Sequence, residues 1–272
     1  YVDGGPDKDT DASNTQYALL GLYAGKQAGA KIEDETWRQI RDLYLRDGED
    51  EDAKISFWRY KARIKHPGNG PSFSMTTAGV CGLVIARMGL VESEQALNAV
   101  KGVAANWGVY KSDEKIEKGL NYIARHFAFQ NTPEEKQPFY NIYGLERLGR
   151  LSGQRFIGNS DWYRAGCDWL VPRQAADGSW PGAGIANHSH LSTAFAVLFL
   201  SKGRVPVLIS KLAYGQHTLT PNGIMTERLE AGGVIGWNRK HSDCRNLVEY
   251  ASRELFDNAP LAWQVYDPRR GD

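Results

Sequence analysis

Neither sign of charge is in excess in this sequence, which has 33 Lys and Arg against 32 Asp and Glu for a formal net charge of +1. A protein that binds nucleic acid or an anionic membrane surface usually shows a basic excess or a basic stripe, so the balance argues against both partners. No run of about 18 apolar residues occurs, and we therefore expect no transmembrane helix.

Cysteine is scarce as well, because the chain has only Cys81, Cys167 and Cys244, which lie far apart. Three scattered residues do not form a disulfide framework, and no Cys-x-x-Cys or His-Glu-x-x-His motif is present to hold zinc. We therefore expect no metal and no cofactor. The chain begins with Tyr1 and shows no signal peptide, so we expect it to be part of a longer protein.

Glycine and aromatic residues, by contrast, are plentiful: the sequence has 29 Gly, 8 Trp and 13 Tyr. Together they predict many tight turns packed under aromatic side chains. The 272 residues, of which 42% are hydrophobic, are enough to bury a sizeable core.

Four segments of the chain share one pattern, namely residues 14–22, 75–83, 140–148 and 192–200. A small polar residue or Asn stands in the second position, a small residue three positions later and a leucine seven positions later. Offsets of three and seven fall on one face of a helix, so the pattern predicts four helices that are apolar nearly all round and therefore buried. The polar column consists of Thr15, Thr76, Asn141 and Thr193.

Amphipathic helices are predicted between these segments, over residues 33–46, 111–127 and 161–170. The alternation of apolar inner helices and amphipathic outer helices predicts an all-α array of helical hairpins. Strand signal is weak. Residues 54–64 are predicted as a short extended arm, and the β-prone residues 261–266 as the first strand of a segment that follows.

A sequence motif that begins in the third predicted outer helix resembles a known repeat. Residues 164–180 run from a basic residue through small, aromatic and aliphatic residues to Gln174, and then to Gly178 and Trp180. The motif is similar to the QW repeat of triterpene cyclases, and roughly residues 13–215 resemble the prenyltransferase and squalene-oxidase repeat proteins. The resemblance implies an α/α toroid, in which inner helices ring a cavity and outer helices surround them.

We interpret the motif itself as structural. Gln174 at the end of an outer helix is expected to bond backbone groups of the next repeat, Trp180 to stack over it, and Gly178 to permit the turn. Such a clasp between neighbours is what a repeat array requires.

A closer likeness is to large bacterial proteins, frequent in planctomycetes, that carry this repeat region ahead of another domain. The matching stretches include residues 14–22, 74–79 and 260–265. The resemblance implies toroid repeats over residues 1–215 and a C-terminal helical extension over residues 216–272, leading into a following domain of the same longer protein. It implies a fold and no particular reaction.

Cyclase chemistry lacks a visible acid. Triterpene cyclases protonate an alkene with a carboxylic acid from an Asp-x-Asp-Asp-Thr run at the start of an inner helix. We align the Thr of this run with Thr15, Thr76, Asn141 and Thr193 in turn. In none of the four helices is either of the two residues before the aligned position an Asp or a Glu. An alternative is that the chain is an isoprenoid, squalene-type cyclase. Asp11 is the acid nearest to the aligned positions and is the weak candidate for the catalytic acid of such an enzyme.

Prenyl transfer in the same family uses zinc held by an Asp-x-Cys pair and a distant His. This sequence has no such pair, although His188, His190 and a Cys leave a zinc site as a further alternative.

The sequence therefore predicts a toroid module that lacks the cyclase acid and the transferase zinc site. It is expected to bind an isoprenoid or other hydrophobic ligand, or a partner, in its central groove. A protein–protein scaffold is the remaining alternative. The groove is predicted at the N-terminal ends of the inner helices, which carry Asn14, Gln16, Tyr17, Thr76, Tyr140, Asn141 and His190, together with Thr15 and Thr193 unless these two only cap helices.

Overall fold

The structure is a computed structural model, and it is mostly helical, as the sequence predicts. Its described residues form eight α-helices, one 3₁₀ turn and eight short strands. The described residues are 11–62, 64–65, 67–91, 107–127, 137–182, 188–201, 207–213, 217–219, 225–227, 238 and 240–268.

All seven segments predicted to be helices, four apolar and three amphipathic, are helical. The prediction that the apolar helices are buried is confirmed for residues 73–89 but is wrong for residues 12–27 and 189–200, in which only two and three residues are buried. The apolar helices are α1 (Ala12–Gln27), α3 (Phe73–Gly89), α5 (Pro138–Ser152) and α7 (Ser189–Leu200). The amphipathic helices are α2 (Asp34–Asp47), α4 (Asp113–Arg125) and α6 (Trp162–Leu170). An additional helix, α8 (Asp243–Leu255), lies near the C-terminus.

The strands form two-stranded pairs. Three pairs are antiparallel: β1 (Glu49–Asp52) with β2 (Ile55–Phe57), β3 (Phe156–Ile157) with β4 (Ser160–Asp161), and β6 (His217–Leu219) with β7 (Met225–Glu227). The fourth pair is parallel and joins β5 (Val207–Leu212) to β8 (Ala262–Tyr266). The arm predicted at residues 54–64 forms β2 in its first part, and single antiparallel bridges follow at Trp58, with Ser72, and at Lys61, with Asp11.

Helix α3 is the centre of the packing, and all of its residues except Ser74 are buried. The inner helices contact one another in chain order, since α1 lies against α3, α3 against α5, and α5 against α7. The amphipathic helices α2 and α4 pack on α3, and α6 packs on both α5 and α7. An apolar helix in this position is covered on every side, which explains why α3 has no polar face.

Glycines within α3 receive aromatic rings from the outer elements. A Cβ atom added at Gly79 would lie 2.3 Å from the Trp58 ring, and one at Gly82 would lie 2.4 Å from the Tyr44 ring. The rings therefore pack directly on the helix backbone. The sequence predicts that glycine serves tight turns, but at these positions its role is to leave room for a large side chain inside a helix.

The C-terminal helix α8 and strand β8 pack on the residues that end α5. Nη1 of Arg245 on α8 donates to the carbonyl of Leu151 at 2.6 Å, and the backbone N–H of Val265 on β8 donates to the carbonyl of Gly153 at 2.7 Å. The strand predicted at residues 261–266 is present as β8, but its partner is β5, which lies upstream, rather than a segment that follows. The predicted boundary between residues 215 and 216 thus separates two strands that pair.

Candidate functional site

Thr76 of the predicted groove is used in a structural clasp. Its Oγ1 atom accepts the backbone N–H of Trp58 at 3.0 Å, and the indole Nε1 of Trp58 donates to the Tyr44 carbonyl at 3.0 Å. The tryptophan thereby ties the end of the outer helix α2 to the first turn of the inner helix α3. Because Thr76 is fully buried, it does not line a groove.

The same clasp recurs at the QW motif. The backbone N–H of Trp180 donates to Thr193 Oγ1 at 3.0 Å, and its indole Nε1 donates to the Leu170 carbonyl at 2.9 Å. Trp180 therefore joins α6 to α7, with no need for Gln174 to reach the next repeat. Gln174 Nε2 instead donates to the carbonyl of Gly178 at 3.0 Å, and closes a local turn in which Gly178 has a φ of +84°.

Asp11 is the N-cap of α1. One of its oxygens accepts the backbone N–H of Ser13 at 2.9 Å and of Asn14 at 3.1 Å, while the other accepts the Tyr60 hydroxyl at 2.6 Å. Burial raises the pKa of Asp11, but the hydrogen bonds from Ser13, Tyr60 and Asn14 outweigh it and lower the pKa below its ordinary value. A carboxylate held ionised in this way is poorly suited to protonate an alkene. Thr15 also belongs to the cap, since its Oγ1 donates to the Asp11 carbonyl at 2.9 Å.

Two further predicted groove residues lie apart from any cluster. His190 is exposed in the first turn of α7, where its ring stacks on that of His188 at 5.3 Å. Asn141 is half-buried in the first turn of α5. Within the described part of the chain, no three His, Cys, Asp or Glu side chains lie close enough to hold a metal ion.

The other three predicted groove residues do come together, between α1 and α5. Gln16 is buried, and its Nε2 atom donates to the hydroxyl of Tyr140. The Tyr17 ring lies 6.5 Å from the Tyr140 ring, measured between centroids. Residues 124 positions apart in the sequence therefore form one surface.

A buried arginine stands at the centre of this surface. Arg147 on α5 is only 8% exposed, and its Nη2 donates to Gln16 Oε1 at 3.0 Å. Its guanidinium lies 4.5 Å from the centroid of the Tyr143 ring, which in turn lies 5.2 Å from the ring of Phe195 on α7. We refer to Gln16, Tyr17, Tyr140, Tyr143, Arg147 and Phe195 as the Arg147 cluster.

Electrostatically, the cluster holds a cation among neutral phenols. Burial raises the pKa of Tyr140, and the nearby Tyr17 raises it further; burial likewise raises the pKa of Tyr17. Both hydroxyls therefore keep their protons near neutral pH and can donate hydrogen bonds. The Nε atom of Arg147 is buried without a hydrogen-bond partner, and among the described residues no carboxylate forms an ion pair with Arg147.

Sequence reasoning missed Tyr143, Arg147 and Phe195, although a signal for Arg147 was present. Glu146 and Arg147 place two charged residues in a helix predicted to be apolar nearly all round. The other three inner helices carry uncharged residues at the same two positions of the pattern, which are Leu20-Gly21, Cys81-Gly82 and Leu198-Phe199.

Comparison of the chain with protein-family models, with curated proteins and with solved structures finds no match. Among the helices that the structure describes, none has both the length and the apolar character needed to cross a membrane. The fold and the Arg147 cluster therefore provide the basis for a functional assignment.

Proposed function

We propose that the helical part of this chain is a terpenoid cyclase-like α/α toroid module, forming a partial ring, that binds a small hydrophobic ligand without transforming it. The succession of contacts from α1 through α3 and α5 to α7, with amphipathic helices packed outside, supports this arrangement. The ligand groove lies at the Arg147 cluster.

The observation that carries the proposal is the meeting of half-exposed aromatic rings from three inner helices. Tyr17 comes from α1, Tyr140 and Tyr143 from α5, and Phe195 from α7. Tyr17 is 43% exposed, and the other three rings are partly exposed. Rings gathered beside a few convergent polar groups are typical of ligand sites, because they offer apolar contact area and hydrogen bonds together.

Binding without cyclisation is favoured over the squalene-type cyclase alternative. Cyclisation starts with proton transfer from a strong carboxylic acid. Asp11, the candidate for that role, is a helix cap whose pKa is lowered by its hydrogen bonds. An acid that is ionised near neutral pH has no proton to transfer.

One observation favours the scaffold alternative. Helix α7 exposes an apolar face that includes Leu191, Val197 and Leu198, which are 41%, 54% and 45% exposed. Exposed apolar side chains grouped on one face often mark a surface that contacts another protein. A scaffold, however, needs no buried polar and aromatic cluster.

The test is mass spectrometry of small molecules extracted from the purified protein, compared with two variants. Tyr143→Ala removes a ring of the cluster, whereas Tyr250→Ala removes an exposed ring on α8 and serves as the matched control. We expect a hydrophobic compound to be enriched with the wild type and with Tyr250→Ala, and to be lost with Tyr143→Ala. No enriched compound, or equal amounts in all three proteins, would contradict the proposal and favour a scaffold.

A further inference from the structure

We infer that the ligand of the Arg147 cluster carries an oxyanion head group, a carboxylate or a phosphate monoester, that pairs with Arg147. This inference rests on the proposed function, since it specifies the ligand of the same groove. It starts from a buried cation that the described residues leave without a counter-charge.

The hydrogen-bonding capacity of Arg147 is mostly unused. A guanidinium has five N–H donors, and within the described residues only one of them is bonded, from Nη2 to Gln16. The Nε donor is buried with no partner. Keeping an unpaired cation out of water costs free energy, so buried arginines normally sit against carboxylates or carbonyls.

The other buried arginines of the described residues follow that rule. Arg87 pairs with Asp113, with Nη1 and Oδ1 2.6 Å apart. Arg245 donates to a backbone carbonyl and lies 3.6 Å from Glu249. The Nε atoms of Arg87 and Arg245 are also buried without a partner, so what sets Arg147 apart is that no carboxylate of the described residues pairs with it. It is also the one of the three that lies in the cluster of aromatic rings.

The carboxylates nearest to Arg147 are engaged elsewhere. Glu146, its neighbour on α5, lies 3.3 Å from Arg150. The charge of Asp11 raises the pKa of Tyr140, which places Asp11 near the cluster, but the oxygens of Asp11 accept bonds from its own cap and from Tyr60. No carboxylate of the described residues is thus paired with Arg147, and we assign that role to an anion from outside the chain.

The surrounding side chains suit an oxyanion joined to an apolar body. The positive charge of Arg147 lowers the pKa of both Tyr17 and Tyr140, although burial outweighs it, so both phenols lie within its field. Their hydroxyl protons and the free guanidinium donors are all donors, which match the acceptor-only oxygens of a carboxylate or phosphate. Tyr143 and Phe195 provide apolar surface beside that head group.

Calorimetric titration with three matched probes tests the inference: 4-phenylbutyrate, 4-phenylbutyl phosphate and the neutral 4-phenylbutanol. Hydrogen bonds to a charged group are stronger than neutral ones, so we expect at least one anion to bind the wild type about tenfold more tightly than the alcohol. Whichever anion binds more tightly identifies the head group.

Two variants locate the effect. Arg147→Gln should abolish the preference for the anion, so that neither anion binds this variant more tightly than 4-phenylbutanol does. Arg147→Lys keeps the charge without the planar fork and should retain part of the preference, which also covers the case that Arg147→Gln does not fold. Arg164→Gln, which changes an exposed arginine on α6, is the control and should behave as the wild type.

The outcomes separate the inference from the proposed function. Equal affinities of the wild type for the alcohol and the anions would overturn the inference and leave ligand binding in the groove intact. A preference that survives fully in Arg147→Gln or disappears in Arg164→Gln would also overturn it. If none of the three probes binds the wild type, both the inference and the proposed function fail.

Discussion

Single residues in this protein show that the same side chain can be buried for opposite reasons. Arg87 is paired with Asp113 and joins α3 to α4, whereas Arg147 is buried with one hydrogen bond to an amide oxygen. Burial lowers the pKa of Arg87 to about 10, although the neighbouring charge of Asp113 favours its protonated form. The first arginine contributes to the architecture, and we propose that the second pairs with a ligand.

Substitution of the two arginines by methionine should therefore change stability in opposite directions. Arg87→Met leaves the Asp113 carboxylate buried without a counter-charge and should lower the free energy of unfolding by about 3–5 kcal/mol. Arg147→Met removes an uncompensated buried charge and should raise that free energy by about 1 kcal/mol or more. Urea denaturation of the ligand-free proteins measures both. Equal destabilisation by the two substitutions would show that Arg147 is structural.

Asp11 gives a prediction about pH. Its folded-state pKa is lowered below the ordinary value of 3.8, so its contribution to stability is present above that value and is lost as pH falls through the lower, folded value. Asp11→Ala removes the N-cap and should cost about 1 kcal/mol at pH 7.

Denaturant unfolding of wild type and Asp11→Ala over a series of pH values checks this. The difference between the two proteins should be constant at neutral pH and shrink in the acid range. The exposed Asp42→Ala substitution on α2 is the control and should change stability by less than about 0.5 kcal/mol. A difference that grows as pH falls would contradict the assignment of Asp11 as an ionised cap.

At the scale of elements, the helices could be predicted from the sequence but the contacts that join them could not. The apolar period identifies α1, α3, α5 and α7 as helices, but it does not fix the buried face of α1, where Leu22 of the pattern is 37% exposed and Leu19 is buried. The clasp of Trp58 was missed, although it equals that of Trp180, because the loops differ. The carbonyl that accepts the indole N–H lies 14 residues before Trp58, at Tyr44, but 10 residues before Trp180, at Leu170.

The close packing of aromatic rings on the glycines of α3 can be tested by replacing one glycine with alanine, which adds one methyl group. A Cβ atom at Gly79 would lie 2.3 Å from the Trp58 ring, so Gly79→Ala should lower the free energy of unfolding by about 1–3 kcal/mol through overpacking. Gly21 on α1 has no atom within 4 Å of the same position, and Gly21→Ala should instead stabilise by about 0.5–1 kcal/mol because alanine favours the helix. Thermal or urea unfolding of the two variants checks the signs. Destabilisation by both substitutions to the same extent would contradict the close packing of the Trp58 ring on Gly79.

For the whole molecule, the Arg147 cluster depends on packing that no single segment encodes. Its members come from α1, α5 and α7, and they meet only because α1 and α5 both lie against α3 and α7 lies against α5. Sequence reasoning found Gln16, Tyr17 and Tyr140 because they stand near the N-terminal ends of their helices. It missed Arg147 because that residue lies further along α5 and reaches the cluster through its long side chain.

The most direct test of the ligand site is a proton–nitrogen NMR titration of the full chain with 4-phenylbutyrate. A ligand held at the Arg147 cluster should shift backbone amide signals of α1, α5 and α7, with the largest changes near Tyr17, Tyr143 and Phe195. Saturating shifts confined to these three helices, and lost in Arg147→Gln, are the predicted result. Shifts centred on the β5–β8 pair, or none in any helix, would contradict the convergence of the inner helices on one binding site.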